Sequence, residues 1–208
     1  MDTIKTLFLW PVHATLSFVT TVVGWCILAI PCLIRLIVKG RKGYSNNAEI
    51  FSFFNKFPLG THCFSSLVPF TAPYSGSVEC HIRDLSQVED TISCSGTIEN
   101  YPWLRNPFQS VHAVAMTNVG ELVSGLGMLT AFQVEKGKYR GIPTKITTEY
   151  FKKAKVTILA CSSIDLKQLQ SGKDIVVETV LRDKASGEEV AKCFITWAIS
   201  TKERKKSK

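Results

Sequence analysis

Charge is missing from the start of this chain. From Thr6 to Ile34 there is no Lys, Arg, Asp or Glu over 29 residues, whereas a helix needs only about 20 apolar residues to cross a bilayer. The segment reads as a membrane anchor. Its first residues, MDTIK, carry no net positive charge. Its apolar run outlasts the roughly 7 to 15 residues of a signal-peptide core and no small-x-small site follows, which favours an uncleaved anchor over a cleaved signal. Pro11, Gly24 and Pro31 punctuate the run, so a re-entrant hairpin stands beside a single tilted span. Arg35, Lys39, Arg41 and Lys42 follow at once, as a cytoplasmic flank does.

Cysteine pairs are missing too. The seven cysteines, at 26, 32, 63, 80, 94, 161 and 193, form no CxxC motif and are odd in number. That argues against a metal or redox centre, and neither a metal nor a cofactor is expected. Thiols scattered through apolar segments read as small core residues in a reducing compartment.

Basic excess is missing from the body. The net charge is +8, yet residues 35–42 supply four positive charges and residues 202–208 a net four, leaving 15 basic against 15 acidic side chains in residues 43–200. A nucleic-acid domain carries its basic excess on its folded surface, so nucleic acid is not an expected partner. A basic juxtamembrane cluster fits an anionic membrane surface.

What is present divides the chain into residues 1–43, anchor and basic flank; 44–75, an aromatic-rich connection; 76–200, a folded domain; and 201–208, a basic tail. The connection holds "AEIFSFFNKF", a short helix expected to lie on the membrane or to cover the core, and the Pro-punctuated "LVPFTAPYSG". In "SVECHIRDL", Val78, Cys80 and Ile82 alternate with Glu79, His81 and Arg83, the period of a half-buried strand. "TISCSGTIE" repeats it with Ile92, Cys94, Gly96 and Ile98. After one long helical stretch come "TKITTEYF", "KVTILACSSI", "KDIVVETVLRD" and "VAKCFITWAIS", with "KASGEE" as a hairpin loop before the last. Strands, one helix, then strands predict an α+β fold in which an antiparallel sheet wraps a central helix.

Between Val111 and Val134 the chain is helix-compatible and largely apolar, and its only formal charge is Glu121. A helix apolar all round is buried all round, while one sheet covers one side. Gly120, Gly125 and Gly127 each cost about 1 kcal/mol relative to Ala in a helix interior, so they imply a close backbone approach, and a second copy of the chain is the expected cover. Polar interruptions from His112 to Gln133 argue against a second membrane span. Asn106 precedes Pro107 at the helix entrance, with Ser110 as the candidate N-cap.

These residues resemble the hotdog-fold acyl-CoA thioesterases, in particular the branch related to the phenylacetate-pathway enzymes. "VPFTAPYSGSVE", "NPFQSVHAVAMTNVGEL" and "TTEYFKKA" look closer still to a subfamily of that superfamily with no assigned activity. The resemblance spans roughly residues 60 to 200. It implies that Asn106 and His112 match the family's residues before the helix and that Ala113 falls where glycine is usual, its N–H polarising the thioester carbonyl. Glu121 matches the catalytic carboxylate, as general base or nucleophile. Pro143 or Thr144 falls near the family's Ser or Thr on the following strand. Lys152, Lys153 and Lys155 are candidates for the phosphates of coenzyme A, against the alternative of a solvated run.

Ala113 and Glu121 are eight residues apart, about 12 Å along a helix, too far for one chain to bring both to a single carbonyl. The expectation is a composite site in a homodimer or higher homo-oligomer, with fatty acyl-CoA as substrate. Two rivals are a non-catalytic acyl-chain or partner-binding hotdog module and, less favoured for want of a second acid/base pair, an enoyl-CoA hydratase. Lys205, Lys206 and Lys208 at the tail resemble a dilysine retrieval signal. The expected location is thus a membrane, that of the endoplasmic reticulum if the tail is such a signal, with the body facing the cytosol.

Overall fold

A computed structural model describes residues 45–201. The anchor expected in residues 1–43 and the tail from 202 lie outside them. Among the described residues no helix is long and apolar enough to cross a membrane.

Four short helices come first: α1 (Asn47–Phe54), α2 (Gly60–Ser65), α3 (Val68–Thr71) and α4 (Pro73–Gly76). Asn46 caps α1 by accepting from the Glu49 N–H at 3.0 Å. Phe51, Phe53 and Phe54 are buried, with Phe51 edge-on to Phe64 of α2. Of the two readings of the aromatic run, the core cover is the one these buried rings show. Pro69 and Pro73 stand in the first turns of α3 and α4, where a missing N–H costs nothing.

The sheet follows: β1 (His81–Val88), β2 (Thr91–Ile98), β3 (Tyr139–Tyr150), β4 (Ile158–Asp165), β5 (Asp174–Asp183) and β6 (Glu189–Thr201), antiparallel throughout in the order β1-β2-β4-β5-β6-β3. The apolar period read from the sequence is the buried period: Ile92, Cys94 and Ile98 face the core on β2, and Ala191, Cys193, Ile195, Trp197 and Ile199 do so on β6. In β1 the register slips between Ile82 and Asp84, so the inward face passes from Ile82 to Leu85. The KASGEE segment is a hairpin whose Asp183 carboxylate accepts from the N–H groups of Ala185 and Ser186, with Gly187 at φ 76°.

Across the sheet lies α5 (Ala113–Val134), the single long helix. Gly120 lets it close on β6: a Cβ there would stand 2.4 Å from Sγ of Cys193. At Gly127 the same test gives 2.7 Å to Ile164 of β4. The close approach expected of these glycines is thus made to the sheet's own side chains rather than to another backbone. The helix's other side is covered in part from within the chain, where Asn118 donates to the Tyr74 carbonyl and Gln133 accepts from the Asn47 N–H. The buried thiols are core residues, and burial pushes Cys80 up to about 12.

Two edges end the sheet. Alongside β1 run α1 and α2, and Ser65 accepts its Ile82 N–H. In contrast β3 bonds to β6 on one side only, and Ile146 and Tyr150 on its helix-facing side are each 44% exposed.

Candidate active site

The chain closes a small loop before α5. Asn106 accepts from the N–H groups of Phe108 and Ser110 and its amide donates to Ser110 Oγ, while Arg105 and Val111 bridge as an isolated β-pair. Ser110, expected as the N-cap, is buried in this loop instead. The cap is His112, whose Nδ1 accepts from the Val114 N–H at 3.2 Å. The reason is spacing: helical dihedrals begin at Ala113, so the residue placed to reach a first-turn donor is 112 and Ser110 is two residues too early.

With the Val114 donor taken, the Ala113 N–H has no acceptor among the described residues. It therefore opens outward at the positive end of the helix dipole. Tyr150 of β3 donates to the Ala113 carbonyl at 2.9 Å, and Thr117 bonds both Tyr150 and Thr148. These three hydroxyls rivet the open edge strand to the first turn. They were missed in the sequence, although the alternation in "ITTEY" places Thr148 and Tyr150 on the same face as Ile146 and thus toward the helix.

Glu121 stands two turns on. It is half-buried, no hydrogen bond or ion pair holds its carboxylate among the described residues, and burial pushes its carboxyl above the usual range. Val114, Thr117 and Glu121 lie along an incompletely buried stripe of α5, and Val114 and Leu129 are each 54% exposed.

The lysines fall at the helix entrance, since the Val111 N–H donates to the carbonyl of Ala154. Lys152 is paired with Glu188, and the Lys153 ammonium sits over the Phe108 ring at 5.4 Å. Thr144 is the extra residue of a bulge in β3 and donates to the Thr196 carbonyl. The structure thus gathers Asn106, His112, Ala113 and the lysines at one end of α5, with Glu121 in its middle and Thr144 at a different level of β3. Among the described residues no three His, Cys, Asp or Glu side chains gather so as to hold a metal ion.

An antiparallel six-stranded sheet wrapped on one long helix defines the hotdog fold, of class α+β. Within it the chain belongs to the family described as a domain of unknown function, DUF4442, which matches residues 60–199. No curated protein matches the chain. Among solved structures, a structural-genomics crystal structure is 23% identical, covering 74% of this chain and 98% of its own, at a TM-score of 0.61. A Pseudomonas aeruginosa protein of unknown function, described as a probable thioesterase, is 19% identical over 70% of this chain and 99% of its own, at 0.59. A Haemophilus influenzae thioesterase is 13% identical over 73% and 96%, at 0.52. At these identities the likeness is one of fold.

Proposed function

We propose that the chain hydrolyses acyl-CoA thioesters, with fatty acyl chains as the substrate class. The observation that carries this is Glu121, a lone carboxylate raised by burial, on the open stripe of a helix whose first N–H is unoccupied by any described residue. The solved neighbours called thioesterases support the reading. In the reaction, a water oxygen bonds to the thioester carbon while Glu121 takes the water's proton, and the Ala113 N–H holds the carbonyl oxygen as it gains charge. When the C–S bond breaks, the thiolate leaves with its electron pair and recovers the proton from Glu121. A buried carboxylate is the stronger base, at the cost of ionising later, so the acid limb of kcat/KM should lie above the usual carboxylate range.

The site is shared between two copies. The twelve-residue strand β3 offers one free edge, a template for pairing, and the open stripe of α5 adjoins it. In a two-fold contact whose axis passes level with Thr117, midway between the two residues, Ala113 of one helix lies level with Glu121 of the other. The test is turnover by the purified protein across a panel of acyl-CoAs. Release of thiol for some chain lengths supports the reading. Saturable binding without release would favour the rival, a non-catalytic acyl-chain or partner-binding module.

Residues 1–43 attach this body to a membrane, with the body on the cytosolic side and the basic tail suited to retrieval to the endoplasmic reticulum. Supporting this are the 29 uncharged residues and the balanced charge of residues 43–200. Deleting residues 1–42 should move the protein from the membrane pellet to the soluble fraction. If the truncated chain still pellets in high salt, the anchor lies elsewhere.

A further inference from the structure

Between Glu49 and Glu79 the four short helices and their connections carry a single formal charge, Lys56, and no acid. The turn that joins α1 to α2, residues 55–59, is exposed at every position. It presents Phe57, 40% exposed, and Leu59, 72% exposed.

This turn is built to a fixed shape. The Phe57 N–H donates to the Phe54 carbonyl and the Gly60 N–H to the Phe57 carbonyl, each at 3.0 Å, and the Phe57 ring stands edge-on to Phe53 at 5.2 Å. Gly60 is required, because a Cβ there would stand 1.7 Å from the Phe54 carbonyl oxygen. Leu59 has φ 59° and ψ 11°. In that left-handed region a bulky side chain is an outlier, and Asn or Gly is the ordinary occupant. Neither the turn's geometry nor contact with water accounts for a leucine there. The fold bears a strained backbone and holds an apolar side chain outward, which points to something that meets it.

The preceding chain says what that is. Residues 35–42 carry four positive charges directly after the 29 uncharged residues 6–34. From Lys42 to Asn47 the chain spans at most about 18 Å even when fully extended, and α1 adds about 12 Å along its axis. A body held to a bilayer by residues 1–43 therefore keeps the turn at 55–59 within reach of the same surface. An acid-free stretch with one lysine between apolar side chains suits a layer of anionic headgroups.

We propose that the turn at residues 55–59 rests on an anionic phospholipid surface, with Phe57 and Leu59 entering the acyl boundary and the Lys56 ammonium at the headgroups. The inference rests on the membrane attachment proposed above and adds an orientation to it. The body lies with the α1–α2 turn against the bilayer instead of hanging free from residue 43. Two apolar side chains are too few to hold the body alone, so a chain lacking residues 1–42 is still expected in the soluble fraction.

Site-specific photocrosslinking tests this in the full-length protein, reconstituted into vesicles of phosphatidylcholine with a minority of phosphatidylserine. The variants are Phe57→p-benzoylphenylalanine and Leu59→p-benzoylphenylalanine. The control is Val176→p-benzoylphenylalanine, at a residue 58% exposed on β5, three strands from the β1 edge. After flotation and irradiation, mass spectrometry should find lipid adducts at 57 and 59 and none at 176. Leaving out phosphatidylserine should lower the yield at 59. Protein that floats with the vesicles but forms no lipid adduct at 57 or 59 overturns the proposal and leaves the attachment standing. Adducts as frequent at 176, or adducts at 59 to a protein in place of lipid, overturn it too. Protein that does not float overturns the attachment itself, and the contact with it.

Discussion

Glu121→Gln should cut acyl-CoA hydrolysis by on the order of 10²- to 10⁴-fold, the scale of a lost general base, while raising the thermal midpoint at neutral pH. Both effects follow from one environment. Burial pushes the Glu121 carboxyl up, so the folded chain binds this proton more tightly than the unfolded chain does. The stability gained by protonation is fully present below the unfolded value and is lost as pH rises through the folded one. At neutral pH the ionised carboxylate therefore costs stability, and glutamine has no charge to desolvate. The midpoint difference between variant and wild type should open as pH rises through the raised value and close in acid. Melting curves across pH together with turnover assays check this. Full activity in the variant removes Glu121 from the chemistry, and a lower midpoint at neutral pH would show that the carboxylate is held by a partner.

The strands and the helix were legible because each buries one face, and burial writes its period into the apolar residues. Ile92, Cys94 and Ile98 announce β2, and the long stretch with a single charge announces α5. Four short helices between residues 47 and 76 were largely illegible, since pieces of four to eight residues span too few turns to show a period. That gap narrowed the reading of α5: with this cover unseen, a second copy was the one cover considered for the helix's other side, although Tyr74 and Asn47 bond to it from within the chain. The phase change at Arg83 was hidden because a bulge shifts register without altering composition. Of the site, Ala113 and Glu121 were legible as a helix start and a lone acid. The capping role of His112 turned on where helical dihedrals begin, which spacing fixes only to a residue or two.

Ala113→Pro and Glu121→Gln homodimers should each be inactive, and mixing them should return about a quarter of wild-type activity. Proline deletes the donor N–H at a position built to accept it. Ala113 is the first helical residue, its N–H serves no described acceptor, and His112 before it already has φ −62° and ψ 138°, the extended conformation a following proline demands. The fold should therefore survive, which a thermal midpoint close to wild type would show. If the Ala113 N–H of one chain and Glu121 of its mate serve one site, a mixed dimer holds one intact and one doubly broken site. Random exchange makes about half of all dimers mixed, with one site in two alive. If both residues came from one chain, each site in the mixed dimer would keep one lesion and mixing would restore nothing. Confirmed subunit exchange without recovered turnover would thus sink the shared site while leaving the role of Glu121 intact. Recovery would tie the open edge of β3 and the open stripe of α5 to a single purpose, bringing the free helix start of one copy to the buried carboxylate of the other.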